Sequence, residues 1–140
     1  ALLEQGHDPL PWAGEIRVGD GLQLITGKAL HFLNSGYSNM DRHRRRAGDL
    51  FIEIHPEDAR ARGVATGQPV RVWNGRGEVR AVCSVSDRVR PGVAWMPFGG
   101  FVDAGGTRRG VNVLTAEEPT DCGGGSGLYD AFVEVAPAGG

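Results

Sequence analysis

The sequence predicts a mainly β protein, a closed barrel with little helix. Three observations carry this. About six short strand-like runs recur along the chain, at Leu22–Thr26, Leu50–Ile54, Gln68–Trp73, Glu78–Val85, Val93–Met96 and Ala131–Val135. The third and fourth are joined by Asn74-Gly75-Arg76-Gly77, a strong hairpin signal because Asn and Gly accept the positive φ of tight turns. No long amphipathic helices alternate with the strands. That disfavours a doubly wound parallel sheet, and with it any reading of the Gly-rich stretches as dinucleotide turns of that type.

Taken in order, residues 1–21 are polar and punctuated by Pro and Gly, and read as an arm or incoming linker. The barrel is expected over 22–135, with 136–140 as a flexible tail. After the first strand, residues 34–48 read as a long polar loop. It contains Asn34, Ser35, Gly36 and the basic run Arg42-His43-Arg44-Arg45-Arg46. A short helix opens at His55-Pro56-Glu57-Asp58. Pro56 suits the first helical position, the two acids suit the positive end of the helix dipole, and Gly63 suits the residue just past the end. Arg90-Pro91-Gly92 is a turn. Residues 99–127 are Gly-rich and irregular, with an apolar patch at Val111–Leu114. Stretches 34–48 and 116–127 are expected to be mobile without a ligand or partner, since they lack apolar anchors.

Composition narrows the function classes. The chain has 140 residues and net charge -2, enough for one core and with no global pull toward nucleic acid or an acidic membrane. Lys28 is the sole lysine, so the remaining basic charge is arginine, a side chain that suits forked anions. Cys83 and Cys122 show no metal spacing, and a disulfide between them is not expected. No apolar run approaches the roughly 20 residues of a membrane helix. The N-terminus lacks a signal-peptide pattern, so a cytoplasmic location is expected. The chain starts at Ala1 without an initiator Met, and reads as an excised or processed piece.

A series of segments then matches a known family in order. They are Leu24-Ile25-Thr26-Gly27-Lys28 with His31-Phe32 soon after, Phe51-Ile52-Glu53-Ile54-His55-Pro56-Glu57-Asp58-Ala59, Gly67-Gln68-Pro69-Val70-Arg71-Val72 and Asn74-Gly75-Arg76-Gly77. Next come Val89-Arg90-Pro91-Gly92-Val93, Met96-Pro97-Phe98, Asn112-Val113-Leu114-Thr115, and Tyr129 before the last strand. The set resembles the C-terminal molybdopterin dinucleotide-binding domain of the dimethyl sulfoxide reductase and formate dehydrogenase family of molybdopterin oxidoreductases. The resemblance implies an aspartate-decarboxylase-like double-psi β-barrel. It implies a molybdopterin guanine dinucleotide carrying molybdenum or tungsten, in a larger oxidoreductase whose other domains are the partners. It also implies that the metal ligand, the substrate pocket and the usual iron–sulfur cluster lie in those other domains. No turnover, no nucleic-acid partner, no membrane insertion and a monomeric state are therefore expected of this chain by itself. The sequence departs from the family at Lys28, where Arg is common, and at Asp130, where a basic residue is common. Gly123-Gly124-Gly125-Ser126-Gly127 resembles a formate-dehydrogenase-like subset.

The candidate cofactor-binding residues are Thr26, Gly27, Lys28, His31, Phe32, Asn112 and Tyr129. No catalytic residue and no metal ligand are assigned. Thr26-Gly27-Lys28 at a strand end supplies a hydroxyl, a backbone without Cβ and an ammonium; from these residues alone an ordinary strand-to-loop turn fits as well. His31 and Phe32 can line a pterin, or be structural. The Asn112 amide pairs donors with acceptors, as a guanine or pterin edge requires, or it forms a turn before a strand. His55 is read as a helix starter, and Glu53, Glu57 and Asp58 as structural carboxylates. The basic run at 42–46 is read as a solvated loop. The competing function keeps the double-psi barrel as a protein-interaction or adaptor domain without cofactor. A self-cleaving decarboxylase is rejected, because Gly125-Ser126 lies too near the end of the chain.

Overall fold

The structure is a computed structural model and describes residues 19–30, 36, 37, 40–99, 110–115, 125 and 131–139, apart from the side chain of Arg44. Six strands form it: β1 (Leu22–Lys28), β2 (Phe51–Ile54), β3 (Pro69–Trp73), β4 (Glu78–Val85), β5 (Val93–Phe98) and β6 (Ala131–Pro137). They close into a barrel in the order β1-β5-β2-β4-β3-β6, with β6 returning to β1. β1 runs parallel to β5 and β2 parallel to β4, while the other contacts are antiparallel. This mixed ordering is that of the expected barrel.

Alternation along each strand builds the interior. Leu22 and Leu24 of β1, Ile52 and Ile54 of β2, Val70 and Val72 of β3, Val79, Ala81 and Cys83 of β4, Ala94 and Met96 of β5, and Ala131, Val133 and Val135 of β6 are all buried. Each large apolar side chain removed from water in this way stabilises the fold by roughly 1.5–3 kcal/mol. Burial also pushes the Cys83 thiol pKa above its ordinary value, so it stays protonated and inert in the core.

Helix α2 (Pro56–Arg62) forms where the sequence places it. The His55 ring accepts from the Glu57 amide at 3.2 Å, and Pro56 opens the helix. Gly63 closes it at φ 64, a left-handed conformation that Gly adopts without a Cβ penalty.

The described part of 34–48 departs from the expected loop. Asp41–Ala47 is a helix, α1. Arg42, Arg45 and Arg46 are exposed, while His43 and Ala47, four residues apart, are half-buried, and Ala47 packs on the core. The entry to α1 is set by Tyr37, at φ 66. Its carbonyl accepts from Met40 N at 3.0 Å, and its ring stacks on His43 at 5.0 Å. Arginine is a good helix former, Asp41 favours the first turn, and the docking of Ala47 and His43 adds to the order of the segment. Two smaller differences are present. The patch at 111–114 is a 3₁₀ turn (Val111–Val113), and β6 continues past Val135, with Ala136 and Pro137 paired to Arg71 and Val70.

The strand directions sort the connections between the two ends of the barrel. β1, β3 and β5 end, and β2, β4 and β6 begin, at the same mouth. The β3–β4 hairpin and the long connections 29–50 and 99–130 leave from it. α2 and the short turns before β3 and β5 lie at the opposite end.

Candidate functional site

The mouth collects the described candidate residues. β1 brings three of them. Thr26 faces inward beside the interior and is 3% exposed, and its hydroxyl has no hydrogen-bond partner among the described residues. A buried hydroxyl left unpaired costs about 1–3 kcal/mol, so it marks a place where a further polar group is wanted. Lys28 is the last residue of β1, opposite Phe98 of β5, and is exposed. Gly27 between them has a packing reason for its missing side chain. A Cβ there would lie 2.8 Å from the Trp95 indole nitrogen, so the close approach at this glycine is made by the chain's own β5.

Asn112 reaches the same mouth by another route. Past the end of β5, a Cβ on Gly110 would lie 3.5 Å from the Gly99 carbonyl, so the 3₁₀ turn that Gly110 caps starts against the end of β5. Val111 and Leu114, one 3₁₀ period apart, are buried and anchor the turn. Thr115 closes it by donating from its amide and its hydroxyl to the Asn112 carbonyl, at 3.3 and 3.1 Å. Asn112 itself stays exposed. The structure thus brings Thr26, Gly27, Lys28 and Asn112 to one end of the barrel. His31, Phe32 and Tyr129 lie outside the described residues, as does the segment 123–127 except Gly125.

Two buried or half-buried carboxylates of the barrel have structural partners. Glu53 is 6% exposed and pairs with Arg88 at 2.9 Å. Asp58 accepts from the Gly92 amide at 2.8 Å and faces Arg62 at 3.6 Å, tying α2 to the turn before β5. Among the described residues no three His, Cys, Asp or Glu side chains group as metal ligands.

Two residues escaped the reading of the sequence. Trp95 fixes Gly27, as above. Asn74 was legible only as a turn residue, yet its side-chain amide donates to the Leu114 and Phe132 carbonyls at 2.8 and 3.1 Å. A pairing across the fold leaves no local signature.

Among the described residues, exposed large hydrophobic side chains occur on the connections that leave the mouth. Leu30 is 93% exposed, and Tyr37, Met40 and Val113 are also exposed; all four stand on segments at this end, and among the described residues only Ile25 of the exposed large hydrophobics lies in mid-strand. No helix among the described residues is long and apolar enough to cross a membrane.

Comparison with known proteins gives consistent matches. The family model described as "Molydopterin dinucleotide binding domain" matches residues 22–132. The chain is 34% identical over 111 residues to the probable oxidoreductase YoaE of Bacillus subtilis (strain 168), covering 79% of this chain and 16% of that protein. It is 38% identical over 110 residues to dimethyl sulfoxide reductase DmsA of Escherichia coli (strain K12), covering 74% and 13%. In structure it resembles acetylene hydratase from Pelobacter acetylenicus, with TM-score 0.80 and 17% identity over 97% of this chain and 22% of that one. The chain therefore spans about a sixth to an eighth of the length of these curated relatives.

Proposed function

The chain belongs to the molybdopterin dinucleotide-binding domain family, and we propose that its barrel mouth is the surface that holds the cofactor, through Thr26, Lys28 and Asn112. The observation that carries this reading is the unpaired Thr26 hydroxyl, buried at the same end as an exposed ammonium and an exposed carboxamide. The donor set fits the group. A molybdopterin guanine dinucleotide presents a pyrophosphate and hydrogen-bonding ring edges; an ammonium meets a phosphate as a point charge, and a carboxamide pairs with a ring edge. Gly27 is better explained by Trp95 and contributes backbone only. His31, Phe32 and Tyr129 stay in the proposal on the resemblance of their segments.

When bound, the cofactor's molybdenum or tungsten supplies the two-electron chemistry of the parent oxidoreductase. This chain's residues bind and orient. Lys28 neutralises phosphate charge, Asn112 fixes one ring edge, and Thr26 donates from the barrel interior, where little water competes. The exposed Leu30, Tyr37, Met40 and Val113, on connections that leave the mouth, support burial against other domains of the parent. A cytoplasmic location belongs to the same proposal. For the substrate, the segment 123–127 favours formate, while the likeness to a dimethyl sulfoxide reductase favours an S-oxide; assay of the parent with each separates them. The adaptor reading leaves the Thr26 hydroxyl without a purpose.

The test is cofactor content. Asn112→Ala in the parent enzyme should lower pterin fluorescence and molybdenum or tungsten per protein about tenfold, the worth of one good hydrogen bond. Circular dichroism should not change, because the side chain is exposed. Full cofactor content in this variant removes Asn112 from the site.

A further inference from the structure

Asn74 sits between β3 and β4, and its side chain is fully engaged. Oδ1 accepts from the Arg76 and Gly77 amides at 2.9 and 3.3 Å. Nδ2 donates to the Leu114 carbonyl at 2.8 Å and the Phe132 carbonyl at 3.1 Å. The accepted bonds are local and belong to the hairpin. The donated bonds reach 40 and 58 residues along the chain, and a hairpin needs neither. They clamp the hairpin to the 3₁₀ turn that carries Asn112 and to the start of β6. Gly77 makes the joint close: a Cβ there would lie 2.8 Å from the Val113 carbonyl.

We propose that Asn74 is a positioning residue of the cofactor site, holding the 3₁₀ turn so that the Asn112 amide stands at the barrel mouth; this rests on the role of Asn112 given above. The chemistry requires a carboxamide. Aspartate keeps the acceptor for the hairpin amides but turns an oxygen toward two carbonyl oxygens, and alanine loses all four bonds. Glycine at 77 is required for the same contact.

The experiment uses the full parent enzyme with Asn74→Asp, Gly77→Ala, Asn112→Ala and the Asn74→Asp/Asn112→Ala pair. The readouts are pterin fluorescence and metal per protein, together with hydrogen exchange of peptides spanning 111–115 and β2. Asn74→Asp and Gly77→Ala should each lower retention about tenfold and speed exchange at 111–115, while β2 stays protected. The pair should lose no more cofactor than Asn112→Ala alone, since both act through one amide. Additive losses, equal acceleration in β2, or full retention in Asn74→Asp beside loss in Asn112→Ala overturn the positioning role. Full retention in Asn112→Ala overturns the site itself and this inference with it. If Asn74→Asp does not accumulate as folded protein, Asn74→Ser carries the test with the same expected outcomes, because its hydroxyl can still accept from the hairpin amides but cannot reach the Leu114 and Phe132 carbonyls.

Discussion

Lys28→Ala is expected to lower the cofactor content of the parent enzyme by one to two orders of magnitude. Lys28 is exposed at the end of β1 and forms no ion pair with the described residues, so its removal costs the barrel itself little. Its proposed work is one charge-assisted hydrogen bond to phosphate, worth roughly 1.5–3 kcal/mol, or about tenfold to a hundredfold in retention. Lys28→Arg should be milder, because a guanidinium keeps the charge and adds a fork. Arg45→Ala, on the exposed side of α1, should change retention little. Metal analysis and pterin fluorescence of purified variants measure this. Loss in Arg45→Ala with normal content in Lys28→Ala would move the phosphate site to α1.

Ile52→Ala should be among the most destabilising changes in the barrel. Ile52 is 0% exposed on β2, between β4 and β5, and no surface group can follow the deleted atoms into the gap. Truncation of a buried Ile to Ala costs about 2–5 kcal/mol, a large part of the roughly 5–15 kcal/mol that holds a domain together. Ile25→Ala, on the outer face of β1 and 37% exposed, should cost well under half as much. Denaturant midpoints of the two variants compare them directly; equal shifts would mean that the strand faces are assigned wrongly.

The contrast between local and distant signals explains what the sequence disclosed. The β3–β4 hairpin and α2 are written in adjacent residues, Asn74-Gly75-Arg76-Gly77 and His55-Pro56 with Gly63, and both stand where the sequence puts them. α1 was not legible. Seven residues rich in arginine contain less than two helical turns, and their order comes from Ala47 on the core and His43 on Tyr37, contacts made outside the helix. Closure of the barrel by β6 against β1 joins segments more than a hundred residues apart, and no short pattern encodes it. The site divides in the same way. Thr26 and Lys28 were visible as a strand end, but that the Thr26 hydroxyl is buried and unpaired is a property of the closed barrel. Asn112 stood out through resemblance, whereas the clamp at Asn74 depends on carbonyls that only the fold brings near.

Thr26→Val tests most directly whether the mouth holds the cofactor. The substitution keeps the branched shape and removes only the hydroxyl, which is buried and has no partner among the described residues. Without cofactor the barrel should become more stable, by about 1 kcal/mol, because a buried unpaired polar group is gone. In the parent enzyme the same change should lower pterin and metal content roughly tenfold, because the hydroxyl is then a donor to the bound group. Higher stability together with lower retention is the predicted result. Unchanged retention, whatever the stability, would show that the hydroxyl faces no ligand and would contradict the assignment of this end of the barrel as the cofactor site.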